Sequence, residues 1–168
     1  MRYSLLTASL LVLFACRHEP LPTVDAVDLE RYAGKWYEIG SIPTRFQKGC
    51  RCTTAEYGLT DKNYVRVTNR CFREGEWDTA EGKAFVQKGS NNAKLKVQFF
   101  WPFKGKYWIL ALADDYSYAM VGHPNRDYLW ILSREPQLPE AVLKELLARA
   151  RSLGFNTSRI TYTEQEAC

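Results

Sequence analysis

From Trp36 to Ser133 the chain is a series of short apolar-rich runs, and in some, such as 95–99, apolar and polar residues alternate, the period that sends neighbouring side chains to opposite faces of a strand. Turn formers interrupt it at short intervals: Thr60-Asp61-Lys62-Asn63, Lys88-Gly89-Ser90-Asn91-Asn92, Pro102-Phe103-Lys104-Gly105, Asp114-Asp115 and His123-Pro124-Asn125-Arg126-Asp127. The runs between them predict strands over 36–41, 53–59, 64–72, 81–87, 93–101, 106–113, 118–122 and 128–133. Asp28 is placed to cap a helical turn just ahead of the first strand. After Pro139 the period lengthens: Val142, Leu143, Leu146, Leu147, Ala150 and Leu153 form one stripe of a helix that Gly154 is placed to end. Residues 157–163 add a last short strand.

Eight short antiparallel strands in sequence order predict an all-β fold, an up-and-down barrel with the C-terminal helix packed outside. Closure removes the open edges, and eight strands enclose room for one small ligand. Alternation also sorts the faces. In Leu95-Lys96-Val97-Gln98-Phe99 the apolar side is Leu95, Val97 and Phe99, with Trp101 continuing it. Gly34, Trp36 and Tyr37 crowd the start of the first strand, and so large a ring needs a packing partner.

The N-terminus changes the picture from a free domain to an exported one. Arg2 precedes an apolar run, Ser4 to Phe14, too short to span a bilayer. It ends in Leu13-Phe14-Ala15-Cys16, which resembles a bacterial lipobox. The expected division is a signal peptide over 1–15, a lipidated tether over 16–27 beginning at Cys16, and one domain over 28–168. Several acyl chains on Cys16 would hold the protein firmly to a membrane. Arg17, in place of the Asp that commonly retains lipoproteins at the inner membrane, implies the outer membrane, with the domain facing the periplasm.

Composition adds three limits. Five Trp, ten Tyr and eight Phe favour strands. The net charge of +4 is small and its basic residues are scattered among acids, which argues against nucleic acid as a partner. Beyond Cys16, the cysteines Cys50, Cys52, Cys71 and Cys168 suggest two disulfides in an exported chain, of any of three connectivities. With two His in all and no second close Cys pair, Cys50-Arg51-Cys52 makes no metal site, and no cofactor is expected.

Gly34-x-Trp36-Tyr37, Asp114-Asp115-Tyr116 and Arg134 after the eighth strand together resemble the three signatures of the lipocalin family. LKVQFFWPFKGKYWILAL and RDYLWILSREPQLP resemble its bacterial outer-membrane lipoproteins, and also the animal relative apolipoprotein D. One departure is Asp114, where many members carry Thr. The resemblance implies that Trp36 floors the barrel with Arg134 packed over its ring. It puts Tyr107, Ile109 and Ala111 inside, joined by Ala119, Val121, Tyr128, Trp130 and Leu132, with Trp108, Met120 and Ile131 outside. It further implies Cys52–Cys168, which leaves Cys50–Cys71, although register alone also allows Cys52–Cys71.

The expected ligand wall is thus Val97, Phe99, Trp101, Tyr107, Ile109, Ala119, Val121, Tyr128, Trp130 and Leu132. Small Ala side chains leave space, and aromatic polar tips interrupt an apolar surface, the mixture a ligand pocket needs. The family implies a carrier of small amphipathic molecules, here fatty acids or lysophospholipids. There is no nucleophile elbow, HExxH or phosphate loop, and His123 reads as part of a turn, so no enzyme is expected. A lipid-acting enzyme on the same fold, or a structural lipoprotein with a filled barrel, stays open as the alternative. Phe100-Trp101-Pro102-Phe103 is left as a mouth rim, a homodimer contact or a membrane contact.

Overall fold

The computed structural model describes residues 20–166; the signal segment, Cys16 and Cys168 lie outside the described residues. Strands β1 (Gly34–Ile42), β2 (Arg51–Gly58), β3 (Val65–Arg73), β4 (Glu76–Val86), β5 (Lys94–Gln98), β6 (Gly105–Leu112), β7 (Tyr118–Gly122) and β8 (Leu129–Ser133) run antiparallel in chain order. β1 pairs with β8 on one side and with β2 on the other, which closes the cylinder. Helix α1 (Leu29–Tyr32) begins at Asp28, whose carboxylate accepts from the N–H groups of Glu30 and Arg31, the cap that the residue type led us to expect. Of the last strand expected over 157–163 only a two-residue β9 (Thr161–Tyr162) forms, adding to the far half of β1 where β1 has parted from β2. Thr157–Arg159 is a 3-10 turn instead, with the Asn156 side chain accepting from the Ser158 N–H.

Because each strand reverses the last, the connections fall at two ends. Loops β2–β3, β4–β5 and β6–β7 share one end with α1 and the start of β1. Residues 43–50, 74–75, 99–104 and 123–128 share the other.

Alternation separates two apolar layers. Inside lie Trp36, Tyr57, Val65, Val67, Ala84, Leu95, Ile109, Ala119, Val121 and Leu132. Outside lie Ile39, Ile42, Leu110, Met120, Leu129 and Ile131, covered by Leu146 and Ala150 of helix α2 (Glu140–Ser152) and by Phe155. The helix stops as expected. Gly154 takes φ +87°, and the N–H groups of Gly154 and Phe155 reach the carbonyls of Arg151 and Ala150.

The structure departs from the sequence reading in four further places. β4 begins at Glu76 rather than at 81, because Glu74 and Gly75 both take positive φ, 55° and 89°, and make a tight hairpin. β5 ends at Gln98, so Trp101 leaves the sheet and is 87% exposed instead of continuing the inner face. In β6 a bulge between Ile109 and Ala111 shifts the register, turning Ala111 to the helix side and Leu112 inward. Finally, the expected tether is packed from Leu21 onward: Leu21 and Val27 are buried, and the Val24 N–H donates to the Ile109 carbonyl at 3.0 Å. Those apolar side chains are too sparse to show a period, yet Leu21 packs into the outer cluster and Val24 and Val27 into the inner one.

Gly122 on β7 is where the helix side packs most closely. A Cβ there would lie 2.6 Å from the Phe155 ring and 2.8 Å from Leu110 Cδ1. We expect Gly122→Ala to lower stability by about 1–3 kcal/mol through overpacking, read as a lower midpoint in urea with an unchanged m-value. A neutral result would mean that Phe155 can move aside at no cost.

Candidate functional site

One end of the barrel is plugged. Trp36 is fully buried, and its Nε1 donates to the Tyr32 carbonyl at 2.8 Å. The Arg134 guanidinium lies over the indole, 3.8 Å from the ring centroid. Its Nη1 donates to the Lys35 carbonyl at 2.9 Å and its Nη2 to the Arg31 carbonyl at 2.7 Å. Gly34 takes φ +92°, and a Cβ there would sit 3.4 Å from Arg134 Nη1, so glycine answers both the backbone and the space. The turn after β6 completes the plug: Arg31 stacks on the Tyr116 ring at 4.1 Å and donates to the Asp114 carbonyl at 2.8 Å. Asp114 takes part through its backbone, while Asp115 makes the turn bond to the Ser117 N–H at 2.9 Å.

Above the plug, three tyrosines from α1, β2 and β6 meet inside the barrel. The Tyr107 hydroxyl lies 2.8 Å from that of Tyr32 and 2.7 Å from that of Tyr57. Burial pushes Tyr57 up to about 12, and raises Tyr32 and Tyr107 well above the ordinary value of 10.0. Three hydroxyls making two mutual bonds use two of their three protons, so one O–H is left to donate.

Nearer the open end, β1 carries a buried acid. Glu38 is 6% exposed and accepts from Ser41 Oγ at 2.9 Å, Gln47 Nε2 at 2.7 Å and Thr163 Oγ1 at 2.8 Å. Burial raises its pKa above 4.5, and these three neutral donors pull against that rise. Gln47 Oε1 in turn accepts from Trp130 Nε1 at 3.2 Å, so loop 43–50 is tied to the inner wall. The same loop is pinned to β3 by the Cys50–Cys71 disulfide. Cys52 is itself a disulfide cysteine, and its sulfur lies 3.7 Å from the Glu166 carbonyl in the C-terminal tail; Cys168, its expected partner, lies outside the described residues. On the inner faces of β2 and β3, Thr53 Oγ1 and Asn69 Oδ1 are buried without a hydrogen-bond partner.

The structure gathers Ile109, Ala119, Val121 and Leu132 in the buried inner cluster, with Val97, Phe99, Tyr107 and Trp130 packed against it. Tyr128 stands just outside β8, its ring centroid 6.3 Å from that of Trp130 and 6.2 Å from that of His123. Trp101 does not join them. His123 bonds within its own turn, Nδ1 to Asn125 Oδ1 at 2.5 Å. Sequence reasoning missed Tyr32, Tyr57, Glu38 and Gln47. An acid inside the otherwise apolar WYEIGSI strand was a usable signal for Glu38, and alternation for Tyr57; Tyr32 and Gln47 lie outside any strand and carried none.

A groove of about 560 Å³ also lies on the outer surface at the plugged end, lined by Arg31, Tyr116, Tyr118, Arg134, Leu138 and Val142. Arg31 and Arg134 already bond the plug's carbonyls, so we place the candidate site inside the barrel instead.

Comparison with known proteins shows the family and the fold. Residues 27–165 match the family model described as a lipocalin-like domain. The outer membrane lipoprotein Blc of Escherichia coli (strain K12) is 41% identical over 165 residues, 95% of this chain and 93% of that one. Apolipoprotein D of Bos taurus is 35% identical over 162 residues, 91% of this chain and 84% of that one. Among solved structures, insecticyanin from the tobacco hornworm Manduca sexta superposes with a TM-score of 0.69 at 23% identity, over 84% of this chain and 82% of that one.

Two outcomes are expected from this geometry. Trp36→Ala should lower stability by about 3–5 kcal/mol while altering ligand affinity little in the fraction that stays folded; unchanged thermal unfolding would remove Trp36 from the plug. The tyrosine cluster should make the protein sensitive to alkali. A group whose pKa is raised by folding stabilises the native state below its unfolded value, and that stability is lost as pH rises from 10.0 through the folded value, about 12 for Tyr57. Each such tyrosine removes about 1.4 kcal/mol per pH unit in that window. Absorbance titration should therefore show most tyrosines ionising near pH 10 and a late group ionising together with unfolding.

Proposed function

Since the chain belongs to the lipocalin family, we propose that its barrel carries one fatty acid or lysophospholipid, by binding alone and without covalent chemistry. The observation that carries this reading is the unmatched tyrosine hydroxyl inside an apolar wall. A buried donor without a partner is costly, and a ligand carboxylate or ester carbonyl would satisfy it. Tyr107 lies deep in the barrel yet is not fully buried, as expected of a residue lining free space.

The remaining parts fit a tail-and-head molecule. Val97, Phe99, Val121, Trp130 and Leu132 would contact the acyl chain, each buried methylene contributing about 0.8 kcal/mol. Thr53 and Asn69 hold buried oxygens without donors, and the glycerol hydroxyl of a lysophospholipid would supply one. Trp36 and Arg134 close the floor and stay out of direct recognition. The protein is lipid-anchored at the outer membrane, as are the lipoproteins it resembles, and we assign the anchor to Cys16, with the domain on the periplasmic side and Cys52–Cys168 tying down the tail.

Native mass spectrometry of the purified protein, followed by lipid extraction, tests the reading. One fatty acid or lysophospholipid per barrel supports it; a protein that is empty and ignores added lysophospholipid would return a filled, structural barrel. Replacing Tyr32, Tyr57 and Tyr107 together by Phe should weaken that binding about three- to tenfold, since it leaves no tyrosine proton for the ligand.

A further inference from the structure

We propose that the open-end rim is a docking face for an anionic phospholipid bilayer, so that the barrel stands on the membrane with its mouth against the lipid. The most exposed large apolar side chains in the described part of the molecule are Trp101 at 87%, Phe103 at 76%, Phe100 at 68% and Phe46 at 64%. All four lie on two connections at the same end, 43–50 and 99–104, opposite the Trp36 plug. Apolar residues that open to water are not needed to close the barrel. Loop 99–104 is nevertheless held in shape, the Phe103 N–H donating to the Phe100 carbonyl at 2.9 Å. An exposed aromatic cluster of this kind marks an interaction surface.

Charge selects the partner. Within 43–50 and 99–106 the charged residues are Arg45, Lys48, Lys104 and Lys106, with no acid among them. The two other connections at that end are mixed, Glu74, Glu76 and Asp127 standing beside Arg73 and Arg126. Two copies meeting rim to rim would set the basic loops against each other, whereas anionic head groups would meet them with opposite charge. Tryptophan and phenylalanine between basic side chains suit the head-group layer, where the ring is buried and the charge stays wet. A protein held at the outer membrane by lipid has such a surface within reach. The inference rests on the carrier reading for its purpose, since a mouth set against lipid passes an amphiphile without exposing its chain to water; the contact itself is measured separately.

The test uses the anchored protein in vesicles of phosphatidylethanolamine and phosphatidylglycerol whose acyl chains are brominated. We expect tryptophan fluorescence to be quenched, and Trp101→Phe to remove most of the quenched component. No quenching, or quenching undiminished in Trp101→Phe, would overturn the proposal. In a second measurement, replacing Phe100, Trp101 and Phe103 by Ser should slow uptake of a fluorescent lysophospholipid from vesicles about tenfold and leave uptake from water unchanged. Equal slowing from both sources would overturn it. A dimer in sedimentation that this variant abolishes, without quenching in the parent, would assign the rim to a second copy. Quenching without uptake from either source would uphold the docking face and sink the carrier reading.

Discussion

A guanidinium laid on an indole holds this barrel shut. Arg134 lies 3.8 Å from the Trp36 centroid, while its nitrogens bond the carbonyls of Arg31 and Lys35. A stacked cation–π contact of a half-buried guanidinium contributes on the order of 1 kcal/mol, and its two-nitrogen bonding explains why lysine would not serve. The greater consequence is topological. The contact joins the first strand to the segment after the eighth, so strands far apart in the chain share one floor, and everything that lines the interior is measured from it.

A cylinder with a floor has an inside and an outside, and each strand must satisfy both. Met120, Ile131 and Leu110 turn to α2 while Val121, Leu132 and Ile109 turn inward. Where the two demands fall out of step, the backbone yields: the β6 bulge sends Ala111 outward and Leu112 inward. Gly122 leaves room for the tip of the Phe155 ring against β7, and Arg149 reaches across to the Leu110 carbonyl at 2.8 Å. The outer layer is thus sealed by close fit, which leaves the inner layer free to be a wall.

On that wall the polar groups are few and placed with economy. Three tyrosine hydroxyls share two bonds, and Glu38 is surrounded by Ser41, Gln47 and Thr163 in place of a cation. The first arrangement leaves a donor for a ligand; the second ties loop 43–50, β1 and the C-terminal tail into one joint beside the mouth. The lipid carriage and the membrane docking proposed above would be two uses of one asymmetry, a sealed floor and an aromatic rim.

Strand number, helix, barrel closure and the Trp36–Arg134 pair were legible in the chain alone, because period and signature residues are local properties that survive without coordinates. Most of the inner wall followed from the same alternation and from family likeness. What escaped was whatever depended on a break in the period or on a meeting of distant segments. The bulge at Ile109–Ala111, the early end of β5 that frees Trp101, and the hairpin at Glu74-Gly75 are changes of register that a two-residue period does not encode. Tyr32, Tyr57 and Tyr107 sit on three elements, and only closure of the barrel brings their hydroxyls within 2.8 Å. The sequence by itself determined which faces would be apolar; tertiary structure decided which polar atoms would find each other there, since hydrogen bonds between remote segments exist only once the chain has folded.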